Sequence, residues 1–187
     1  FQWFHTPTYI YPVVPACAAT MASQAGYEVL WLDGIAEELQ DAEYLRRLSD
    51  AKPDVICIEA KTPVIKACWQ WVDRLKSALP SSLVVLCGDH VTALPAESME
   101  KCRADYVLTG GDYDFLVVNL LNHLTHGAQL EPGIWHRAGG ETRNTGKFVC
   151  EHDLKTLPWI DRDLTHWRLY SEKNGNFRKL PGTYIMA

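Results

Sequence analysis

The stretch LVVLCGDHVTALPAE, residues 83–97, decides the fold of this chain. Its first five residues, Leu83–Cys87, are all apolar and lack the polar alternation of a half-exposed strand, which is typical of a strand buried on both faces of a parallel sheet. A loop that opens on Gly88 leads to a short helix predicted from about Pro95 to Cys102. Strand, loop and helix in this order are the repeating unit of an α/β fold.

Similar units lie on either side of this stretch. The periodicity predicts strands over residues 27–32, 54–58 and 105–108, and helices over residues 14–26, 35–48, 63–79 and 116–126. We therefore expect an α/β protein with a Rossmann-like (flavodoxin-like), doubly wound parallel sheet. Residues 1–11 are predicted as a loop, so the first helix has no strand before it. We expect that a first central strand precedes residue 1.

The character of the chain changes after Gly127. Residues 133–137 and 147–150 flank a polar, Gly-rich turn and predict a small β-hairpin, and residues 154–180 are predicted as a connector. The predicted organisation is therefore a binding domain over residues 1–127, a β-hairpin extension over residues 128–153, and a linker with a first strand of a further domain over residues 154–187.

Composition narrows the possible partners. The chain has 187 residues, of which 47% are hydrophobic, and a formal net charge of -5, which argues against a nucleic-acid partner because phosphate binding needs a concentrated basic surface. No apolar run approaches the roughly 18 residues that cross a bilayer. We expect a cytoplasmic protein without membrane partners. The cysteines lack C-x-x-C spacing, so no metal site is expected, and Cys57 and Cys87 are predicted to be buried reduced thiols.

Three loops follow predicted strands, at the edge of a parallel sheet where ligands collect. They start at Lys61-Thr62, at Gly88-Asp89-His90 and at Thr109-Gly110-Gly111. Glycines at strand ends let a large ligand approach the backbone, and threonine hydroxyls can donate or accept hydrogen bonds. The alternative is that these glycines serve only tight turns between strands and helices.

Four segments together resemble the cobalamin-binding domains that are fused to radical S-adenosylmethionine domains. CGDHVTALPAE (residues 87–97) is similar to the family's GGPHATALPEE-like loop, and YVLTGGDYDFLVVNLL (106–121) to its strand, Gly-acidic loop and Leu-rich helix. IYPVVPACAATMASQAGYEVLWLD (10–33) resembles its first helix and G-[YH]-E-V-x-x-x-D strand, and TLPWIDRDL (156–164) its inter-domain link. Asp89 replaces the usual proline, and Gly111-Asp112 stands where the family often has Glu-Gly-Glu.

The resemblance implies that cobalamin (vitamin B12) lies across the carboxyl edge of the strands, with its nucleotide tail near Thr62, Gly88 and Gly110-Gly111. The residues expected to contact the cofactor are Lys61, Thr62, Val64, Gly88, Asp89, His90, Val91, Thr92, Leu94, Gly110, Gly111, Asp112 and Tyr113. None is expected to be catalytic. For His90, contact with a corrin amide and a bond that holds its own loop are equally open.

Histidine ligation of cobalt is not expected, because the D-x-H-x-x-G signature of methionine-synthase-like domains is absent from the sequence. The cobalamin is therefore predicted to bind base-off, its own base displaced, with water or a loop side chain on its lower face. His5 and Lys61 are candidates for that side chain, but neither is expected to reach cobalt; each is predicted to lie in solvent or one contact away from the metal. The remaining histidines, at 123, 126, 136, 152 and 166, are predicted at the surface.

The resemblance also implies a longer enzyme. Residues 180–187 resemble the first barrel strand of the radical S-adenosylmethionine domain, whose C-x-x-x-C-x-x-C loop holds a 4Fe-4S cluster. We expect those cysteines to follow residue 187, and the full-length enzyme to be a methyltransferase acting on an unactivated carbon, using S-adenosylmethionine. This chain alone, without the cysteines, is expected to be inactive.

Other proteins share this topology. A receiver domain needs an aspartate at the end of the third strand, where Glu59 or Ala60 stands, and a flavodoxin-like module needs a phosphate loop for which Thr6-Pro7-Thr8 is a thin candidate. The remaining alternative is a nucleotide- or nucleotide-sugar-binding half-domain of a transferase, which would bind no corrinoid.

Overall fold

The chain forms two compact units in the computed structural model, which describes residues 9–173 and 178–183. One unit combines the N-terminal residues up to Tyr44 with the residues from Asp153 onward, and the other is Leu45–His152. The division falls inside a helix, between Tyr44 and Leu45. The three predicted loops all belong to the second unit.

The second unit contains a five-stranded sheet in the order β1-β2-β3-β4-β5. Its strands are β1 (Val55–Glu59), β2 (Leu83–Cys87), β3 (Tyr106–Leu108), β4 (Ile134–Ala138) and β5 (Glu141–Asn144). The helices among the described residues are α1 (Val13–Gln24), α2 (Asp41–Ala51), α3 (Ile65–Ala78), α4 (Asp89–Ala93), α5 (Pro95–Lys101), α6 (Tyr113–His126) and α7 (Arg168–Ser171), with short 3-10 turns at Thr62–Val64 and Leu154–Thr156.

The first three strands are parallel, as the alternating pattern predicted. β1 runs beside β2 from the pair Val55 and Leu83 to the pair Glu59 and Cys87, and β2 runs beside β3. β3 then pairs antiparallel with β4, and β4 with β5. The predicted α/β class is confirmed. The predicted C-terminal β-hairpin is formed by β4 and β5, here called the ribbon, which extends the same sheet as β1, β2 and β3.

β2 is the centre of the core, as its uniform apolar sequence indicates. Side chains on both of its faces are buried, Val84 and Leu86 on one and Val85 and Cys87 on the other. Burial of each such side chain contributes roughly 1.5–3 kcal/mol, which favours a central position for this strand.

Two N-terminal predictions are wrong. Residues 27–32, all described, form no strand, and Leu30 is 54% exposed. The predicted helix over residues 35–48 begins only at Asp41. The carboxylate of Asp33 accepts hydrogen bonds from the amides of Ile35 (2.9 Å) and Ala36 (3.0 Å), and this side-chain turn competes with a helical start.

The predicted hairpin exists with a different second strand. β5 is Glu141–Asn144, not residues 147–150. Gly139 and Gly140 both have positive φ (60° and 84°), so they make the two-residue turn that joins antiparallel strands with the correct twist.

The prediction for Cys57 is also wrong. This residue is exposed on β1, the edge strand, whereas Cys87 is buried.

The other unit is held by an aromatic cluster. Tyr11 and Tyr170 meet edge to face, with ring centroids 5.2 Å apart, and pack with Ala16 and Ala36. The Tyr170 hydroxyl donates to Asp33 at 2.6 Å. The predicted connector therefore packs on the N-terminal segment. The predicted domain boundaries at residues 127 and 153 stay predictions.

Across the described part of the chain, no helix is long and apolar enough to span a membrane.

Arg137 on β4 ties the ribbon to α5. Its Nε donates to the carbonyl of Ala104 and its Nη2 to that of Cys102, both at 2.9 Å, and Nη2 also donates to Met99. These carbonyls lie at or just beyond the helix end, where backbone acceptors lack helical partners.

We expect Arg137→Ala to lower the free energy of unfolding by about 1–3 kcal/mol, because it leaves several backbone acceptors without a donor. Urea unfolding followed by circular dichroism measures the change. Arg143→Ala is the matched control on β5, since its side chain forms an exposed ion pair with Glu141 at 3.6 Å and the change should alter stability by less than about 0.5 kcal/mol. Equal effects of the two variants would contradict this assignment.

Candidate functional site

Three loops meet at the carboxyl edge of the parallel strands. They are the β1 loop (residues 60–64), the β2 loop (residues 88–94) and the β3 loop (residues 109–113). The amide of Ala60 donates to the carbonyl of Cys87 at 2.7 Å, and the amide of His90 donates to the carbonyl of Ala60 at 3.4 Å. The strand pairing thus continues into the loops and brings the first two together.

The Thr92 hydroxyl joins the β2 and β3 loops. It donates to the carbonyl of Gly88 at 2.9 Å and accepts from the amide of Gly110 at 3.0 Å. The Thr92 hydroxyl, predicted to contact the ligand, therefore links the two loops. Its one donor and one of its acceptor positions are already used, so it can form few further hydrogen bonds with a ligand.

His90 lies beneath the loops and is 4% exposed. Its Nδ1 lies 3.3 Å from the hydroxyl of Thr62, and its ring meets that of Trp69 edge-on at 5.9 Å. Nε2 is 3.3 Å from a carboxylate oxygen of Glu97, in a geometry that makes no hydrogen bond within the described residues. The contact of Nδ1 joins the β2 loop to the β1 loop through a side chain, which differs from the predicted alternative of a bond to the backbone of its own loop. Direct contact with a corrin amide stays a prediction.

The glycines of the site differ in what surrounds them. Gly88 and Gly110 have φ of 102° and 105°, which favours glycine. A Cβ on Gly88 would lie 3.0 Å from the carbonyl oxygen of Ala60, and one on Gly110 would lie 2.5 Å from the ring of Phe148. Around Gly111, by contrast, no described atom other than those of Gly111 and its two chain neighbours lies within 4 Å of the Cβ position. Atoms of the protein itself therefore occupy the space beside the backbone of Gly88 and Gly110, whereas the space beside Gly111 is open.

The other predicted residues divide into exposed and buried groups. Thr62, Asp89 and Leu94 are exposed, and Lys61 pairs with Glu59 at 3.3 Å. Val64 is half-buried at the start of α3.

Val91 and Tyr113 are buried. The side chain of Val91 is fully enclosed, so only its backbone could reach a ligand. The Tyr113 hydroxyl donates to Glu59 at 3.0 Å; burial first, and then the neighbouring thiols and carboxylate, raise the pKa of this phenol well above its ordinary value. Tyr113 therefore stays protonated and joins the β3 loop to β1.

A cluster around Asp112 was missed by the sequence reasoning. His152, predicted as a surface residue, is partly buried, with Nδ1 2.7 Å from Oδ2 of Asp112 and Nε2 2.8 Å from Glu131. Its ring stacks on Phe115 at 4.3 Å. In the sequence, Asp112 and His152 have acidic neighbours, as residues of an ordinary solvent-exposed surface also do. No local sequence pattern therefore predicted the cluster.

The edge presents carboxylate, hydroxyl and backbone groups beside the apolar side chain of Leu94, which is 52% exposed. Such a mixture suits a bulky ligand that carries amides and hydroxyls on an apolar frame. The arrangement supports binding by many weak polar contacts. Among residues 9–173 and 178–183, no group of three or more His, Cys, Asp or Glu could hold a metal ion. His5 lies outside the described residues.

Comparisons with known proteins identify a family for residues 6–116 of the chain. A model described as "B12 binding domain" matches residues 6–116. The uncharacterized methyltransferase PH0819 of Pyrococcus horikoshii is 25% identical over 155 residues, which are 82% of this chain and 34% of that protein.

Solved structures of the radical S-adenosylmethionine methyltransferase TsrM from Kitasatospora setae share the fold. The one with cobalamin and a [4Fe-4S] cluster has a TM-score of 0.61 at 14% identity and covers 83% of this chain and 29% of TsrM. The one with tryptophan and a cosubstrate analogue has a TM-score of 0.60 at 16% identity, covering 76% and 28%. The chain thus spans 34% or less of the length of these relatives.

Neighbouring glycines of the β3 loop provide a test of its packing. We expect Gly110→Ala to lower the free energy of unfolding by about 1–3 kcal/mol, because its φ is strained for alanine and its Cβ meets the Phe148 ring. Gly111→Ala, in open space, should change stability by less than about 0.5 kcal/mol. Urea unfolding measures both. The packing would be refuted if the two variants were equally stable.

Proposed function

Because this chain belongs to the B12 binding domain family, we propose that its three loops hold cobalamin at the carboxyl edge of the parallel strands. The observation that carries the proposal is the extent of the family match. Residues 6–116 include β1, β2 and β3 with the loops that follow them, and therefore all of the predicted contact residues. The hairpin and the connector lie outside the match.

The residues of the edge fit such a ligand. Corrin carries amide side chains, and its nucleotide tail carries a phosphate and hydroxyls, so it needs polar partners and room beside the backbone. Open space at Gly111 supplies room. Thr62 and Leu94 are exposed on the β1 and β2 loops, where corrin amides and the ring edge could contact them, although the Thr62 hydroxyl also lies 3.3 Å from Nδ1 of His90.

We further propose that the cofactor binds base-off and receives no histidine from the β2 loop. His90 is the histidine of these loops, and its burial, with Nδ1 against Thr62, supports a structural role over ligation of cobalt. The ammonium group of Lys61 forms an ion pair with Glu59 at 3.3 Å, which argues against Lys61 as a ligand of cobalt. The lower face of the corrin would then meet water or a side chain from elsewhere in the protein.

The longer protein is proposed to be a radical S-adenosylmethionine methyltransferase that acts on an unactivated carbon. Two similarities support this: the curated relative is described as a methyltransferase, and TsrM is a radical S-adenosylmethionine methyltransferase. When bound, cobalamin supplies the methyl group that such a reaction transfers. The contribution of this chain is to bind and orient the cofactor, while the 4Fe-4S cluster and S-adenosylmethionine are proposed to belong to the rest of the polypeptide.

Retention of cobalamin tests the central proposal. We expect the purified chain, mixed with hydroxocobalamin and desalted, to keep about one equivalent and to show its visible absorption. Gly111→Trp should abolish retention by filling the open space of the β3 loop. Lys101→Trp, at the exposed end of α5, is the matched control and should bind as the unaltered chain does. A colourless unaltered protein would refute the proposal.

Electron paramagnetic resonance of bound cob(II)alamin tests the base-off state. A coordinated base nitrogen splits each cobalt line into three, and a ¹⁵N-labelled histidine ligand would split it into two. With ¹⁵N-labelled protein we expect neither pattern, because the cofactor base is displaced and His90 is buried. A threefold splitting would establish the base-on form, and a twofold splitting would establish ligation by the protein.

A further inference from the structure

The segment of residues 145–152, here called the strap, follows β5 and crosses the β3 loop. The Phe148 ring covers the backbone of Gly110, and His152 closes the strap onto Asp112. Both contacts are made to a loop that the proposed function places at the cofactor. The strap lies outside the matched part of the chain, residues 6–116.

Asp112 has one satisfied and one unsatisfied carboxylate oxygen. Oδ2 lies 2.7 Å from His152 Nδ1, with the thiol of Cys150 at 4.0 Å. Oδ1 is buried, and nothing in the described part of the chain donates a hydrogen bond to it. The side chain is 10% exposed and does not cap α6. A buried carboxylate oxygen without a donor is costly, so a donor from outside the chain would complement it, and it would reach Oδ1 when neighbouring atoms of the β3 loop or the strap move aside.

His152 meets a carboxylate at each ring nitrogen. A neutral imidazole donates from one nitrogen only, so the short contacts to Asp112 (2.7 Å) and Glu131 (2.8 Å) fit the imidazolium, which donates from both. Phe115 of α6 stacks on the ring and carries no charge. Among the described residues, the titratable groups in contact with His152 are Asp112 of the β3 loop and Glu131 ahead of β4, and the Cys150 thiol of the strap lies beside Asp112.

We propose that His152 is a positioning residue that holds Asp112 so that Oδ1 accepts a hydrogen bond from an amide or hydroxyl donor of bound cobalamin. This inference rests on the proposed function. The strap would thereby make the ribbon part of the cofactor site, with Gly111 leaving the adjacent space open for the ligand.

We expect the affinity of the chain for cobalamin to depend on pH through His152. Burial is the largest influence on the pKa of His152 and lowers it, but the hydrogen bonds and charges of Asp112 and Glu131 together outweigh burial, and the pKa is raised above its ordinary value. The imidazolium is therefore fully present below the pKa of an unfolded histidine. It is lost as the pH rises through the higher folded value, and with it the support of Asp112.

Hydroxocobalamin affinity, measured by absorbance from pH 5.5 to 9, tests the proposal with three variants. We expect His152→Gln to weaken binding about tenfold at low pH and to remove the part of the pH dependence that titrates with His152. Asp112→Asn, which keeps the side-chain shape, should weaken binding similarly. His126→Gln, exposed at the end of α6, should match the unaltered chain and share the titration of the cofactor itself.

A second readout needs no cofactor. Nuclear magnetic resonance of the histidine ring should show a raised pKa for His152 that returns toward its ordinary value in Asp112→Asn. Unchanged affinity and pH profile in both His152→Gln and Asp112→Asn would overturn the positioning role while cobalamin binding stands. Failure of the unaltered chain to bind would overturn this inference together with the proposed function.

Discussion

Parallel pairing of β1, β2 and β3 is the constraint on which the site depends. The register that sets Glu59 beside Cys87, and Leu86 beside Val107, brings the ends of these strands to one edge. Loops that are 20 or more residues apart in the chain therefore start within hydrogen-bonding distance of each other. The backbone bond from Ala60 to Cys87 continues that pairing beyond the strands, and the bond from the Gly110 amide to the Thr92 hydroxyl links the β2 and β3 loops.

The antiparallel ribbon adds a second constraint, which acts on the β3 loop. β4 pairs with β3, so the chain that leaves β5 returns across the end of β3. The side chains of Phe148 and His152 then contact Gly110 and Asp112. The strands at the end of the sheet thus determine the surroundings of the β3 loop, where the space beside Gly111 is open.

The sequence predicted best the features that depend on local periodicity. β2 was predicted with both of its ends, Leu83 and Cys87, because a five-residue apolar run with two valines, between polar turns, is too short for a buried helix and favours a buried strand. The three loops followed from strand order and the general rule for parallel sheets. The segment of residues 27–32 has a strand-like composition and forms no strand, because a strand requires a hydrogen-bonded neighbour as well as suitable side chains.

The sequence by itself determined the α/β class, the parallel order of the first three strands, the loops at their carboxyl ends and the resemblance to cobalamin-binding domains. These properties reside in short segments, whose periodicity and turn residues act over a few positions. Only the tertiary structure decided that Phe148 occupies the space beside Gly110 and that His152 joins Asp112 to Glu131. Those contacts link residues far apart in the chain, and their geometry depends on sheet pairing, which no local pattern encodes.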